Sequence, residues 1–198
     1  MDLITIETLW AALLGFALGS VPFGLLLTKA AGLGDVRDIG SGSIGATNVL
    51  RTGNKGLAAA TVLLDAAKGV VPVLIAAHFW EGSEGAAAVA AVAGHCFTPW
   101  LKFRGGKGFA TAAGVLLALA WPLMLICAGI WALVLLISRI SSVSSMLTVI
   151  AAPAVAWALG GAELIWPLVA IAAIVLIQHR ANIGRLMRGE EPKIGSGK

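Results

Sequence analysis

The chain has 198 residues, of which 59% are apolar and 12% charged, with 25 glycines and a formal net charge of +4. A water-soluble domain carries about 25% charged and 45–50% apolar residues, so a disordered chain is excluded and a soluble globular domain is disfavoured. At about 100–200 residues per domain the length accommodates one domain, 1–198, and leaves no room for a separate soluble catalytic module.

The chain opens on Met1-Asp2 and reaches Glu7 before its first apolar run. A positive leader and a small-residue cleavage site are missing, so the first segment is expected to be a retained anchor. Spanning hydrocarbon takes about 20 mostly apolar residues, and the long continuous runs here select helices over a barrel. The expected spans are Leu9–Lys29, Leu57–Trp80, Gly85–Leu101, Gly108–Ala120, Pro122–Ile137, Ser142–Gly160 and Leu164–Gln178. The fourth and fifth abut at Trp121-Pro122, where a proline cannot continue the preceding helix. The expected fold is an all-α integral membrane bundle of seven transmembrane helices.

Cytoplasmic loops collect Lys and Arg, which orients the bundle. With seven spans, one face holds Lys29, Arg37, Arg51, Lys55, Lys102, Arg104, Lys107, Arg139, Arg180, Arg185, Arg188, Lys193 and Lys198. The other face holds Asp2, Glu7, Glu81, Glu84 and Glu163, with no Lys or Arg. Merging the fourth and fifth helices would throw Arg139 and the C-terminal cations onto the acidic face. Seven spans with the N-terminus outside and the C-terminus cytoplasmic is therefore the expected topology. Asp65 and Lys68 fall inside the second span, three residues apart and so on one helix face. Such a pair either neutralises itself inside the bundle or takes part directly in function.

Three basic segments share the cytoplasmic face. The first runs from Asp35 to Arg51 and contains Gly40-Ser41-Gly42-Ser43-Ile44-Gly45-Ala46-Thr47-Asn48. Its glycines permit backbone turns that aim N–H groups at an anion, its hydroxyls and Asn48 add donors, and Arg51 adds a bidentate charge. A dinucleotide-binding reading of its G-x-G-x-x-G fails, because no strand precedes it and the acid about 20 residues on is Asp65 in an apolar helix. The second, Gly94-His95 through Gly108, carries Arg104-Gly105-Gly106-Lys107-Gly108 just before a helix, where free N–H groups and the Lys107 ammonium suit a phosphate. It lacks Walker A spacing, and Trp100 and Lys102 read as interfacial anchors. The third, Gln178 to Arg188, is a cationic tail suited to lipid headgroups. If the last helix continues, His179, Asn182 and Arg185 share a face. His78, beside Trp80 on the outer face, is given no role. Cys96 and Cys127 lie in apolar stretches and form neither a metal-ligand spacing nor a disulfide framework.

Taken together, Gly19-Ser20-Val21-Pro22-Phe23-Gly24, the Gly40 to Asn48 loop with Arg51, Leu64-Asp65 with Lys68-Gly69, Gly94-His95, Gly105-Gly106-Lys107-Gly108, and His179-Arg180 with Asn182 and Arg185 resemble the bacterial acyl-phosphate:glycerol-3-phosphate acyltransferase (PlsY) family. The resemblance runs in order along nearly the whole chain. It implies a seven-helix enzyme of the inner membrane with a cytoplasmic active site, making lysophosphatidic acid from acyl phosphate and glycerol 3-phosphate. The resemblance places Ser41, Arg51, Lys107, His179 and Asn182 in catalysis. Gly40, Gly42, Ser43, Thr47, Asn48, Arg104, Gly105, Gly106 and Gly108 are expected to bind substrate phosphate, with Asp65, Lys68 and His95 in support. It implies no metal, no cofactor and no nucleic acid. The implied partners are membrane lipid, the two substrates and an enzyme that supplies the acyl phosphate. The family pattern has asparagine where this chain has Ser43, a single hydroxyl of shorter reach. The H-x-x-x-x-D pair of acyltransferases that use acyl-CoA or a carrier protein is absent, since Ser83, Trp100 and Gly184 stand five residues after the three histidines. The alternative function is a phosphate or organic-anion transporter, which internal repeats and a midplane site would favour; neither is apparent.

Overall fold

The computed structural model describes residues 5–195, so Asp2 of the expected outer face and Lys198 of the inner face lie outside the described residues. Every regular element among the described residues is helical. Ten α-helices follow in order: α1 Ile6–Gly19, α2 Phe23–Ala30, α3 Ala46–Val49, α4 Lys55–Phe79, α5 Glu84–Cys96, α6 Phe109–Leu119, α7 Trp121–Ser138, α8 Ser141–Ala158, α9 Ile165–Gln178 and α10 Arg180–Met187.

The first expected span is broken. α1 stops at Gly19 and α2 begins after Pro22, whose ring removes the donor that an unbroken helix needs. The carbonyls freed at this break are recovered by distant side chains, as an apolar surround requires. Thr98 Oγ1 donates to the Ser20 carbonyl at 2.7 Å, and Lys68 Nζ donates to the Val21 carbonyl at 2.7 Å. Trp100 Nε1 donates to Ser20 Oγ at 2.9 Å, so this exposed indole is tethered as well as interfacial.

The third expected span is shorter than expected. α5 ends at Cys96, and Pro99 opens a separate 3₁₀ turn, Pro99–Leu101, consistent with the bias of a residue before proline away from helix. At Trp121-Pro122 the structure matches expectation: Ala120 is extended and proline occupies the first turn of α7. The last helix does not continue straight past Gln178. It breaks at His179, and α9 and α10 meet at a 59° bend.

Small residues build the tightest seams. α1 packs on α5 and α4 on α6. A Cβ at Gly15 or Gly19 would strike the carbonyls of Ala87 or Ala91, and one at Gly69 or Gly114 those of Thr111 or Ala66. Backbone-to-backbone approach of this kind is what joins helices where burial of apolar surface gives no driving force. α7, α8 and α9 close the bundle on the other side.

Four helical stretches, Ile6–Ala30, Lys55–Phe79, Trp121–Ser138 and Ser141–Ala158, are long and apolar enough to cross a membrane, or five if the bent α9–α10 pair counts as one span. α5 has 13 residues and α6 has 11. All seven expected spans thus correspond to helical segments, while length and composition qualify four or five of them. A belt of exposed apolar side chains, including Leu13, Leu63, Leu117, Leu125 and Leu136, surrounds the bundle.

Candidate active site

The loop from Asp35 to Asn54 is organised by one side chain. Asn48 is buried, and its Nδ2 donates to the carbonyls of Val36, Ser43 and Ile39 at 2.7, 2.8 and 3.1 Å. Its Oδ1 accepts from the Ser41 N–H at 3.0 Å and from Arg51 Nη1 at 3.4 Å. Gly40 and Gly42 take left-handed backbone at φ 54° and 68°. A Cβ on Gly40 would also collide with the Arg51 and Asn48 side chains. The expected nest of free N–H groups is not what forms. The Ser41 N–H serves Asn48, the Gly42 N–H donates to the Ile39 carbonyl at 3.0 Å, and the Gly45 N–H donates to Ser43 Oγ at 3.3 Å. Asn48 and Ser43 therefore shape the loop, and its outward groups are the Ser41 and Thr47 side chains with Arg51. Arg37 donates twice to Asp35, at 2.9 and 2.6 Å, and these bonds hold the Asp35 carboxyl well below the usual carboxylate range.

The glycine loop folds back on the end of α5. The Gly105 and Gly106 N–H groups each donate at 3.0 Å to the carbonyls of Cys96 and His95, so these donors hold the loop down and do not remain free for a phosphate. Gly106 lies so close to the His95 ring that a Cβ would overlap Nε2, and Gly108, at φ 87°, opens α6. Lys102 and Phe103 at the tip are also left-handed, at φ 53° and 61°. The consequence is the placement of Lys107, while Arg104 stays exposed.

Beneath this loop lies the buried group expected in support. Lys68 Nζ is 2.7 Å from Asp65 Oδ1, and His95 Nδ1 is 3.6 Å from the same oxygen. One carboxylate thus joins the lysine that ties down the α1–α2 break to the histidine under the glycine loop.

At the α9–α10 bend His179 Nδ1 lies 2.8 Å from the Val175 carbonyl. A carbonyl only accepts, so Nδ1 carries the proton and Nε2 of the neutral ring is an acceptor. Asn182 and Arg185 follow on α10, and both are held by a residue the sequence reading passed over. Glu191 Oε2 accepts from Arg185 Nε at 2.7 Å, and its Oε1 accepts from Ser142 Oγ at 2.6 Å and from Asn182 Nδ2. Burial pushes the Glu191 carboxyl up, but the donors from Ser142, Asn182 and Arg185 outweigh it and hold it below its ordinary value. A lone acid pair in a basic tail, Glu190-Glu191, and the serine-rich start of α8 were the available signals.

Lys107 joins the loops electrostatically. Burial pushes its ammonium below the ordinary lysine value, Glu191 opposes the fall, and the like charges of Arg185 and Arg51 add to it. His179 lies in the field of Lys107 and Glu191. Arg51, Lys107, His179, Asn182 and Arg185, from three separate segments, therefore form one cluster; Ser41, Thr47 and Arg51 share the first loop. Asp65, Lys68 and His95 lie below it.

An apolar cavity of about 120 Å³ opens between α6, α7 and α8, lined by Phe109, Ala113, Met124, Cys127, Trp131 and Thr148 among others. Phe109, two residues after Lys107, stacks on Trp131 with centroids 6.1 Å apart, and Trp131 Nε1 donates to Ser145 Oγ at 3.3 Å. The cationic cluster and an apolar slot thus sit next to each other along α6.

The chain matches the glycerol-3-phosphate acyltransferase family over residues 9–189. It is 59% identical to a glycerol-3-phosphate acyltransferase of Erythrobacter litoralis, with 94% of each chain covered. It is 52% identical to one of Mesorhizobium japonicum, over 98% of this chain and 99% of that one. Its fold superposes on the crystal structure of PlsY, an integral membrane glycerol 3-phosphate acyltransferase, in its glycerol 3-phosphate form, with a TM-score of 0.90, 33% identity and 96% of each chain covered. The lysophosphatidic acid form of PlsY gives a TM-score of 0.88 at 32% identity. With a family match along most of its length and a membrane-embedded structural relative, this chain belongs to the glycerol-3-phosphate acyltransferase family of integral membrane enzymes, in the PlsY line.

Proposed function

We propose that the chain moves an acyl group from an acyl phosphate to the 1-hydroxyl of sn-glycerol 3-phosphate, giving lysophosphatidic acid and inorganic phosphate, the first step of phospholipid synthesis. The observation that carries this reading is the meeting of three cations, Arg51, Lys107 and Arg185, with an apolar cavity that begins at Phe109. Two phosphates and one acyl chain are the ligands such a site suits. PlsY structures with glycerol 3-phosphate and lysophosphatidic acid forms support it from outside the chain.

An acyl phosphate is a mixed anhydride, already activated. The glycerol hydroxyl oxygen attacks the acyl carbonyl carbon, the bond from that carbon to the phosphate oxygen breaks, and phosphate leaves with the electron pair. The hydroxyl proton passes to a phosphate oxygen of the substrate, while His179 Nε2 is the protein atom able to receive it instead. The enzyme's task is then to hold reactants together and meet developing charge. Arg51 and Lys107 bind phosphate, Ser41 and Thr47 donate to phosphate or carbonyl oxygens, and His179 and Asn182 orient the alcohol. Asn48, Gly40, Gly42 and Ser43 shape the first loop, and Gly105, Gly106 and Gly108 carry Lys107. The acyl chain lies in the cavity between α6, α7 and α8.

In this reading all seven segments cross the bacterial inner membrane, the shorter two included. The N-terminus is outside, and the active site and C-terminus face the cytoplasm, where the Lys and Arg loops belong. An enzyme that makes acyl phosphate supplies the donor. Purified protein in detergent or lipid is expected to join labelled glycerol 3-phosphate to an acyl phosphate without acyl-CoA or added metal. Product only with acyl-CoA overturns the donor assignment, and vesicles that accumulate glycerol 3-phosphate without product favour the transporter.

A further inference from the structure

Three ionisable side chains are buried inside the bundle, Asp65 and Lys68 on α4 and His95 near the end of α5. Charge is costly there, and a buried ion pair replaced by apolar side chains of similar volume often leaves a protein as stable or more so. Stability alone does not call for these residues; their contacts on either side give them another task. On one side, Lys68 Nζ reaches both Asp65 Oδ1 and the Val21 carbonyl, each at 2.7 Å, and lies 5.6 Å from the centre of the Phe23 ring. α2, which starts at Phe23, meets the first loop backbone to backbone: a Cβ on Gly24 would strike the carbonyl of Ile44, a buried residue of the loop that leads to Arg51. On the other side, His95 Nδ1 lies 3.6 Å from the same Asp65 oxygen and has no hydrogen-bond partner in the protein. The far edge of that imidazole is the floor under Gly106, where a Cβ would overlap Nε2, and the next residue is Lys107. One carboxylate thus stands between the backbone that carries Arg51 and the backbone that carries Lys107.

We propose that Asp65 is the positioning residue that holds the two cationic loops in register. Through His95 it sets the height of Gly106 and so of Lys107, and through Lys68 it fixes the start of α2, on which the Arg51 loop rests. Asp65, Lys68 and His95 act through these backbones and do not touch substrate. The inference rests on the acyltransferase reading, in which Arg51 and Lys107 bind phosphate, and deepens it by naming what sets their separation. A displacement of about 1 Å caused far from the chemistry can cost ~10²-fold in rate. The contacts that matter are a donor toward Val21 and an acceptor toward His95, so an uncharged pair of the same reach should serve nearly as well.

The test compares two uncharged replacements of the pair in the whole protein in detergent. Asp65→Leu with Lys68→Met removes the charges and both outward contacts at similar volume, so thermal unfolding should stay near wild type. Its kcat/KM with glycerol 3-phosphate and acyl phosphate should nevertheless fall by about 10- to 10²-fold. Amide hydrogen exchange should quicken in residues 40–51 and 102–108 of the same variant. Asp65→Asn with Lys68→Gln keeps an acceptor toward His95 and a donor toward Val21, and should recover about half or more of the logarithmic loss and slow the exchange of both loops. An apolar pair with kcat/KM and loop exchange at wild-type values overturns the proposal. An amide pair as stable as wild type but as inactive as the apolar pair overturns it too. Where the apolar pair does not fold, His95→Phe decides, because it keeps a ring beneath Gly106 but offers Asp65 no nitrogen. A folded His95→Phe variant with full kcat/KM and unchanged exchange in residues 102–108 sinks the idea. Failure of the acyltransferase reading shows separately, as no product from wild type with acyl phosphate, while exchange in the two loops still decides whether Asp65 holds them.

Discussion

Lys107 and Arg51 carry the same charge but sit in different surroundings, and their substitutions should separate. Removing a preorganised group that meets transition-state charge costs on the order of 10²–10³ in rate, so Lys107→Ala and Arg51→Ala should each lose at least 10²-fold in turnover. Thermal unfolding close to wild type would show the loss is chemical, and near-normal turnover would remove either residue from the site. Burial lowers the Lys107 ammonium, so it gives up its proton earlier on an alkaline titration than an exposed lysine. The alkaline limb of kcat/KM should therefore fall below the ordinary lysine range and move upward in Lys107→Arg, since a guanidinium stays charged. An unmoved limb would assign it to another group. The sequence exposed these two cations through the glycines around them. Of Glu191 it showed only an acid pair in a basic tail, because its meaning depends on Ser142 and Asn182, residues brought to it only by folding.

Among the elements, α6 is the one on which the site and the core meet. One face lies backbone to backbone with α4 at Gly69 and Gly114, and another lines the apolar cavity through Phe109 and Ala113. Gly114→Val forces a side chain against the Ala66 carbonyl and should destabilise the protein by about 1–3 kcal/mol, read from thermal unfolding in detergent. Ala113→Phe should instead leave stability nearly unchanged and shift preference toward shorter acyl phosphates, measured as a ratio of kcat/KM values across chain lengths. An unaltered ratio would move the acyl chain elsewhere. Helix existence was legible here because apolar runs and Pro122 are local signals. The early end of α5, the Ser20–Pro22 break and the bend at His179 were less so, because side chains from other elements settle them: Thr98, Trp100 and Lys68 make the first break tolerable. Some loop N–H groups that look free in sequence are used by the fold, those of Ser41 and Gly42 by Asn48 and Ile39 and those of Gly105 and Gly106 by the end of α5.

Across the whole molecule the C-terminal tail works as a strap. Beyond Glu191, the Ile194 N–H donates to the Arg139 carbonyl at 2.7 Å and Arg139 Nη2 donates back to the Ile194 carbonyl at 3.1 Å, tying the tail to the turn between α7 and α8. A carboxyl held below its ordinary value contributes stability above its unfolded value and loses it as pH falls through the folded one. Limited proteolysis after α10 should accordingly accelerate below about pH 4.5, and Glu191→Gln should abolish that acid dependence. A tail equally protected at all pH values would place its anchorage at Arg139 alone. The two short helices carry a consequence for the lipid itself. At about 1.5 Å per residue, 13 and 11 residues rise about 20 and 17 Å, against a hydrocarbon layer of about 30 Å. If both cross the membrane as the proposed topology has them, the bundle cannot present a flat, full-thickness wall on that side. Either the bilayer would then thin around α5 and α6 or the loop that joins them would lie sunk beneath the headgroups. Both arrangements would bring water and cations down to the depth of an acyl carbonyl, so under the proposed reaction a donor lipid would meet its polar co-substrate without being lifted from the membrane.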